Sequence, residues 1–220
     1  MKKSVYSLVL MDDIVKAIDD MAYRRNTSRS NLINQILAEH ISYKTPESMM
    51  RDIFDRMKTI MDSNFQIQGQ SSDAMLSIRS PLRYKYKPNI RYRVELMREV
   101  KDGVFGNLSV SFRTQSSQLI ELMNNFFSLW YKLEKRYMDK YFPDGVEYTC
   151  MSGRFVRKLK IPAELSNEDT DLLGKAIVDY IRLLDSEIKI YFSDIDDPER
   201  ATLRVEANLL NNINSGIMII

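Results

Sequence analysis

Residues 3–41 constrain the chain most, because they make three short elements whose apolar faces exceed what so small a unit can enclose. Lys3 to Leu10 alternate at strand spacing, with Tyr6, Leu8 and Leu10 on one side and Val5, Ser7 and Val9 on the other. Asp12 and Asp13 then open a helix, where their carboxylates can cap orphan amides and favour the positive end of the helix dipole. Its apolar stripe is Ile14, Ile18 and Met21, helped by Ala17 and Ala22. Arg24 and Arg25 suit its last turn, and Asn26 suits a left-handed stop. A second helix opens at Ser28 with Leu32, Ile33, Ile36, Leu37 and Ile41 on its apolar face. About forty residues of this kind need a partner to cover them.

The order and spacing resemble the ribbon-helix-helix family, in the ribbon SVYSLVL, the helix DDIVKAIDDMA and the turn-plus-helix NTSRSNLINQIL. The resemblance covers residues 1 to about 43. It implies an intertwined homodimer in which two first strands pair as an antiparallel ribbon that enters the major groove of double-stranded DNA. By position, Lys3, Val5, Ser7 and Val9 would face the bases, while Lys2, Ser28, Arg29 and Ser30 would hold phosphates. The ribbon departs from the family in having two valines where long polar side chains are usual. Valine touches a thymine methyl but bonds no base edge, so reading would fall to Ser7, Lys3 and DNA shape.

The remainder is long enough for a core of its own, with 44% hydrophobic residues over 220. Thr45-Pro46-Glu47 is a helix opening, and Met49, Met50, Ile53, Phe54, Met57, Ile60 and Met61 keep a helical period to about Ser63. Strand-like alternation follows in AMLSIRS, NIRYRVELM and NLSVSFR, with turns at Pro81, Pro88 and Asp102-Gly103. A long helix is expected over Gln118–Phe142, then strands in VEYTCM and FVRKLKI, then a second long helix from about Asn167 to Phe192. The division is therefore a DNA-binding and dimerisation module at 1–43, a connector helix at 44–63 and an α+β effector or assembly domain at 64–220. Strand-then-helix occurs twice in that domain. Two such ββα-like units imply a mixed or antiparallel sheet with two long helices on one face.

Charge is unevenly placed. Arg79 to Lys101 holds eight basic residues against two acidic ones, whereas Glu164 to Glu199 holds eleven acids against three bases. In RSPLRYKYKPNIRYR, the residues Arg83, Lys85, Lys87, Arg91 and Arg93 are candidates for accessory nucleic-acid contacts, with Tyr84, Tyr86 and Tyr92 as stacking partners. The plainer reading is a hairpin or edge strand protected by charge. The acidic stretch reads as a solvated helix face that can pair with the basic one.

One cysteine and one histidine exclude an intramolecular disulfide and a Cys/His zinc site, so neither metal nor cofactor is expected. His40 fits a boundary packing position and Cys150 a half-buried place in a strand. The short apolar run before Asp12 is not a signal peptide, and no stretch has the length to span a bilayer; a cytoplasmic protein is expected. Glycine-rich phosphate loops, nucleophile motifs and acid/base pairs are missing, which argues against an enzyme. The expectation is a sequence-specific transcriptional regulator, a repressor in its simplest form, whose C-terminal domain senses a small-molecule or protein effector or strengthens assembly. The alternatives are an assembly factor that uses the first module only to dimerise, and a plasmid maintenance or relaxosome accessory protein. An antitoxin fits less well, because its tail is usually short.

Overall fold

A computed structural model describes residues 5–69, 72–85 and 87–220, which form two compact units, one up to Ser48 and one from Met49 to Ile220.

In the first unit, residues 5–11 carry no helix or strand assignment and all are exposed. Helix α1 (Asp12–Arg24) follows, then α2 (Arg29–His40). Asp12 and Asp13 do not cap α1 with their side chains: Met11 holds the cap position without a side-chain bond, and the two acids lie in the first turn. The helix stops as the sequence predicts. Asn26 adopts φ 50°, the Thr27 amide donates to the Ala22 carbonyl and the Asn26 amide to that of Tyr23, the paired bonds of a left-handed helix terminus. Ser42 at φ 54° ends α2 in the same way. Ser28 caps α2, its Oγ accepting from the Asn31 amide at 3.2 Å. His40 is exposed at the end of α2, not packed at a boundary, and its position there suits the dipole.

The second unit is an α+β fold with an open six-stranded antiparallel sheet. Its strands are β1 (Gln66–Ile67), β2 (Met75–Pro81), β3 (Asn89–Lys101), β4 (Val104–Phe112), β5 (Tyr148–Met151) and β6 (Arg154–Lys160), in the spatial order β1-β2-β3-β4-β6-β5. Every pairing is antiparallel, so the mixed alternative is out. Asp102 and Gly103, both at positive φ, make the two-residue turn between β3 and β4, the backbone that matches strand twist.

Four helices complete the unit: α3 (Pro46–Ile60), α4 (Ser117–Tyr137), α5 (Thr170–Ser193) and α6 (Pro198–Asn214). Thr45 caps α3 by accepting from the Ser48 amide. Helix α3 ends three residues earlier than its hydrophobic period predicts, and Met50, Ile53, Phe54 and Met57 put it in the core of the second unit. Its backbone runs close to α5, since a Cβ on Gly174 would lie 2.9 Å from the Ile53 carbonyl oxygen. Sequence reading missed the short strand β1 and, more consequentially, helix α6. Its opening, Asp197-Pro198-Glu199, repeats the Thr45-Pro46-Glu47 signal, and Asp197 Oδ1 accepts from the Arg200 amide.

The core lies between the helices and one face of the sheet. Leu76, Ile78, Tyr92, Val94, Leu108, Val110, Phe155 and Leu159 point into it from the strands, with Phe126, Trp130, Ile177 and Ile181 among the helix residues they meet. Polar groups are buried with them. Arg157 Nε lies 3.1 Å from Glu134 Oε1, both side chains fully buried, and the Tyr180 hydroxyl donates to the same Glu134 oxygen while accepting from Trp130 Nε1. Burial pushes the Glu134 carboxyl above its ordinary range, and Arg157 partly opposes this. On α5, burial drives Glu187 up to about 8 despite the bond it accepts from Asn208. The acidic stretch is therefore not only a solvated face. Asp185 accepts from the Tyr92 hydroxyl and from Lys189, and Asp194 pairs with Arg200 and Arg204.

Candidate nucleic-acid interface

Two surfaces carry the residues that sequence reading assigns to DNA. The first lies in the N-terminal unit. Lys2 and Lys3 fall outside the described residues. Val5, Ser7 and Val9 are exposed, the valines completely. On the alternate positions exposure falls along the chain, from 84% at Tyr6 to 58% at Leu8 and 38% at Leu10, so the two predicted faces do differ in accessibility. Ser28, Arg29 and Ser30 come together at the start of α2. Arg29 is not free there: its guanidinium forms a two-pronged ion pair with Asp19 of α1, and that hydrogen bond and charge raise its pKa. An arriving phosphate has to compete with Asp19.

This unit buries little for its apolar content. Ala22, Leu32 and Ala38 are its buried hydrophobic residues, while Ile36, Leu37 and Ile41, predicted as the face of the second helix, stand in solvent with Ile14, Met21 and Tyr43. Hydrophobic side chains facing water together at helical spacing are a surface awaiting cover.

The second surface is the sheet face turned away from the core. Inward-pointing residues alternate with outward ones along each strand, and cross-strand partners share a face. The register aligns Arg79, Arg91, Ser111 and Arg154 across β2, β3, β4 and β6, and beside them Ser77, Arg93, Ser109 and Val156. Arg154 Nε donates to Ser109 Oγ at 2.8 Å. Arg93 reaches Glu95 only at 3.9 Å, and its Nε is buried without a hydrogen-bond partner among the described residues. Sequence reading found Arg91 and Arg93; it missed Arg79 and Arg154, which the alternation and the pairing of β4 with β6 bring alongside.

The remaining members of the predicted basic set sit elsewhere. Arg83, Lys85 and Lys87 lie on the loop between β2 and β3, at the end of the sheet and not on its face. The stacking role expected of the tyrosines is overturned for two of them: Tyr92 is fully buried, bonded to Asp185, and Tyr84 packs edge-on against Phe192 at 5.4 Å. Tyr86 lies outside the described residues. Of the plainer reading the hairpin holds, since β2 and β3 are antiparallel neighbours joined at residues 82–88, whereas the edge strand does not, because β3 has a neighbour on each side and the sheet ends at β1 and β5.

Among the described residues, surface cavities open on the second unit. One of about 490 Å³ is lined by Asp62, Phe65, Arg182, Asp185 and Lys189, and one of about 570 Å³ by Asn124, Phe127, Tyr131, Tyr148 and Cys150. Cys150 is exposed on edge strand β5, which corrects the half-buried expectation. Among the described residues no helix is long and apolar enough to cross a membrane, and no cluster of three or more His, Cys, Asp or Glu is arranged to hold a metal ion. No family model, no curated protein and no solved structure matches the chain, so any function has to be argued from its own residues.

Proposed function

We propose that the protein is a homodimeric, DNA-binding transcriptional regulator whose N-terminal unit reads a duplex, and whose second unit senses an effector or stabilises the assembly. The observation that carries this reading is the uncovered apolar surface of residues 5–43: Leu8, Ile36, Leu37 and Ile41 are all more than two-fifths exposed. Pairing residues 5–10 of two chains as an antiparallel ribbon, and packing α2 against its copy, would remove that surface from water. Burying one such side chain completely contributes roughly 1.5–3 kcal/mol. These side chains are already about half covered, so each has on the order of half that left to gain, and four from each chain together are comparable with an association cost of about 4–15 kcal/mol.

A paired ribbon would present Val5, Ser7 and Val9 outward from both chains to the major groove, which admits two strands. The start of α2 supports phosphate contact on three counts: helix-start amides, the positive end of a helix dipole, and the hydroxyls and guanidinium of Ser28, Ser30 and Arg29. Occupying an operator would then repress transcription directly.

Titrating labelled duplexes with the full chain across a salt series tests this. Arg29→Ala is expected to weaken binding to all sequences alike and to flatten the salt dependence by about 0.9 for each phosphate no longer neutralised. Ser7→Ala is expected to alter preference among sites by on the order of 1 kcal/mol with the slope unchanged. If both variants bind as the parent does, the ribbon is not a DNA-reading surface, and the module serves dimerisation in an assembly factor.

A further inference from the structure

We propose that the open face of the sheet is a second DNA surface, built to hold the phosphate backbone of a duplex without reading its sequence. Arg79 and Arg91 are direct cross-strand partners. Like charges placed so oppose folding, and among the described residues no acid pairs with either. A fold tolerates that repulsion more readily where an anion relieves it. Arg93, one pair along β3, contributes the buried Nε that lacks an acceptor, and its distant Glu95 is a poor substitute for one. Arg154, two strands beyond Arg91, is held in place by Ser109. Four guanidinium groups thus span the interval from β2 to β6, three strand spacings or roughly 14 Å. They stand on paired strands, a rigid base for contacts that must coincide with a row of phosphates.

The face also says what it does not bind. No aromatic side chain stands in the two outward rows, so a single strand would find no ring on which to stack its bases. An acidic protein would ordinarily seat several aromatic or aliphatic anchors in a pocket, and the apolar members of these rows are Val156 and, opposite Arg154 on edge strand β5, the exposed Met151. A duplex asks only for charge and hydroxyls at regular intervals, and Ser77 and Ser111 stand between the arginines.

The test uses the full chain and a labelled mixed-sequence duplex, with Arg79→Gln and Arg91→Gln alone and together. Each substitution is expected to lower affinity roughly tenfold near 0.1 M salt and to flatten the salt dependence by about 0.9, equally for every sequence. Arg79→Gln is also expected to raise the thermal midpoint followed by Trp130 emission, because it removes the opposed charge. That rise separates the removal of a phosphate ligand from damage to the fold. Unchanged duplex binding by the double variant overturns the proposal, whatever Arg29→Ala does. Loss in the double variant with Arg29→Ala silent supports the sheet face and counts against the N-terminal reading. Tighter binding of labelled polyglutamate than of the duplex, abolished in the same double variant, also overturns it, in favour of an acidic protein partner.

Discussion

The two units solve opposite problems with similar material. From Met49 onward the chain buries most of its large apolar side chains, and enough else that Glu134, Glu187 and Arg157 are enclosed with them. Before Ser48 it leaves isoleucines, leucines and valines in water and, among the described residues, buries three hydrophobic ones. The difference shows where each unit's stability comes from. The second unit closes on itself, so its folding should not depend on concentration. If a second copy supplies the first unit's missing burial, as proposed, the stability of that unit should rise with the amount of protein present.

The sharpest break in the second unit is Glu134→Ala. It leaves the Arg157 guanidinium buried without its counter-charge and deprives Tyr180 of its acceptor, a loss expected to be about 3–5 kcal/mol. Because Trp130 is the chain's one tryptophan and donates to Tyr180, urea unfolding followed by its emission reports this unit alone. The midpoint should fall by the same amount at every protein concentration. A concentration-dependent midpoint would mean that the second unit also relies on a partner.

A second effect is expected from pH. Glu187 titrates at about 8 in the fold and near 4.3 once unfolded. Between those values the folded chain holds a proton that the unfolded chain has released, so stability falls as pH rises through this window and levels off above it. Glu187→Gln should flatten that decline, since glutamine keeps an oxygen for the Asn208 amide and has no proton to lose. Equal slopes in parent and variant would mean that the carboxyl is solvated and ionised in the fold.

Much of the second unit was legible because its elements announce themselves locally. Thr45-Pro46, Asp102-Gly103 and the alternation of NIRYRVELM each specify a structure within a few residues. What escaped depends on pairing between distant segments. That Arg79, Arg91 and Arg154 share one row follows from register across three strand pairs, and that Tyr92 turns inward to Asp185 follows from which face of β3 the helices cover. Counting charges along the segment could not separate Arg91, on the sheet face, from Lys85, on a loop. Helix α6 is different: its capping signal is local, but Asp197 and Glu199 sit inside an acidic run, where the same residues suit a solvated face equally well.

In the first unit the smallest effect is the most discriminating. Asp19→Asn removes the carboxylate that occupies Arg29 and leaves the helix start intact. Duplex affinity should rise a few-fold, equally for all sequences, as measured by anisotropy at fixed salt. No change would mean that Arg29 touches no phosphate.

Everything proposed for the first unit requires a second copy of the chain to cover its apolar surface, and sedimentation equilibrium on the parent and on Ile36→Asp addresses that requirement without any DNA present. The parent should sediment at twice the chain mass. Ile36→Asp should sediment at the single-chain mass with unchanged Trp130 emission, the N-terminal helices being lost from circular dichroism. A parent that sediments as a single chain across the accessible concentrations, with those helices intact, would refute the dimer.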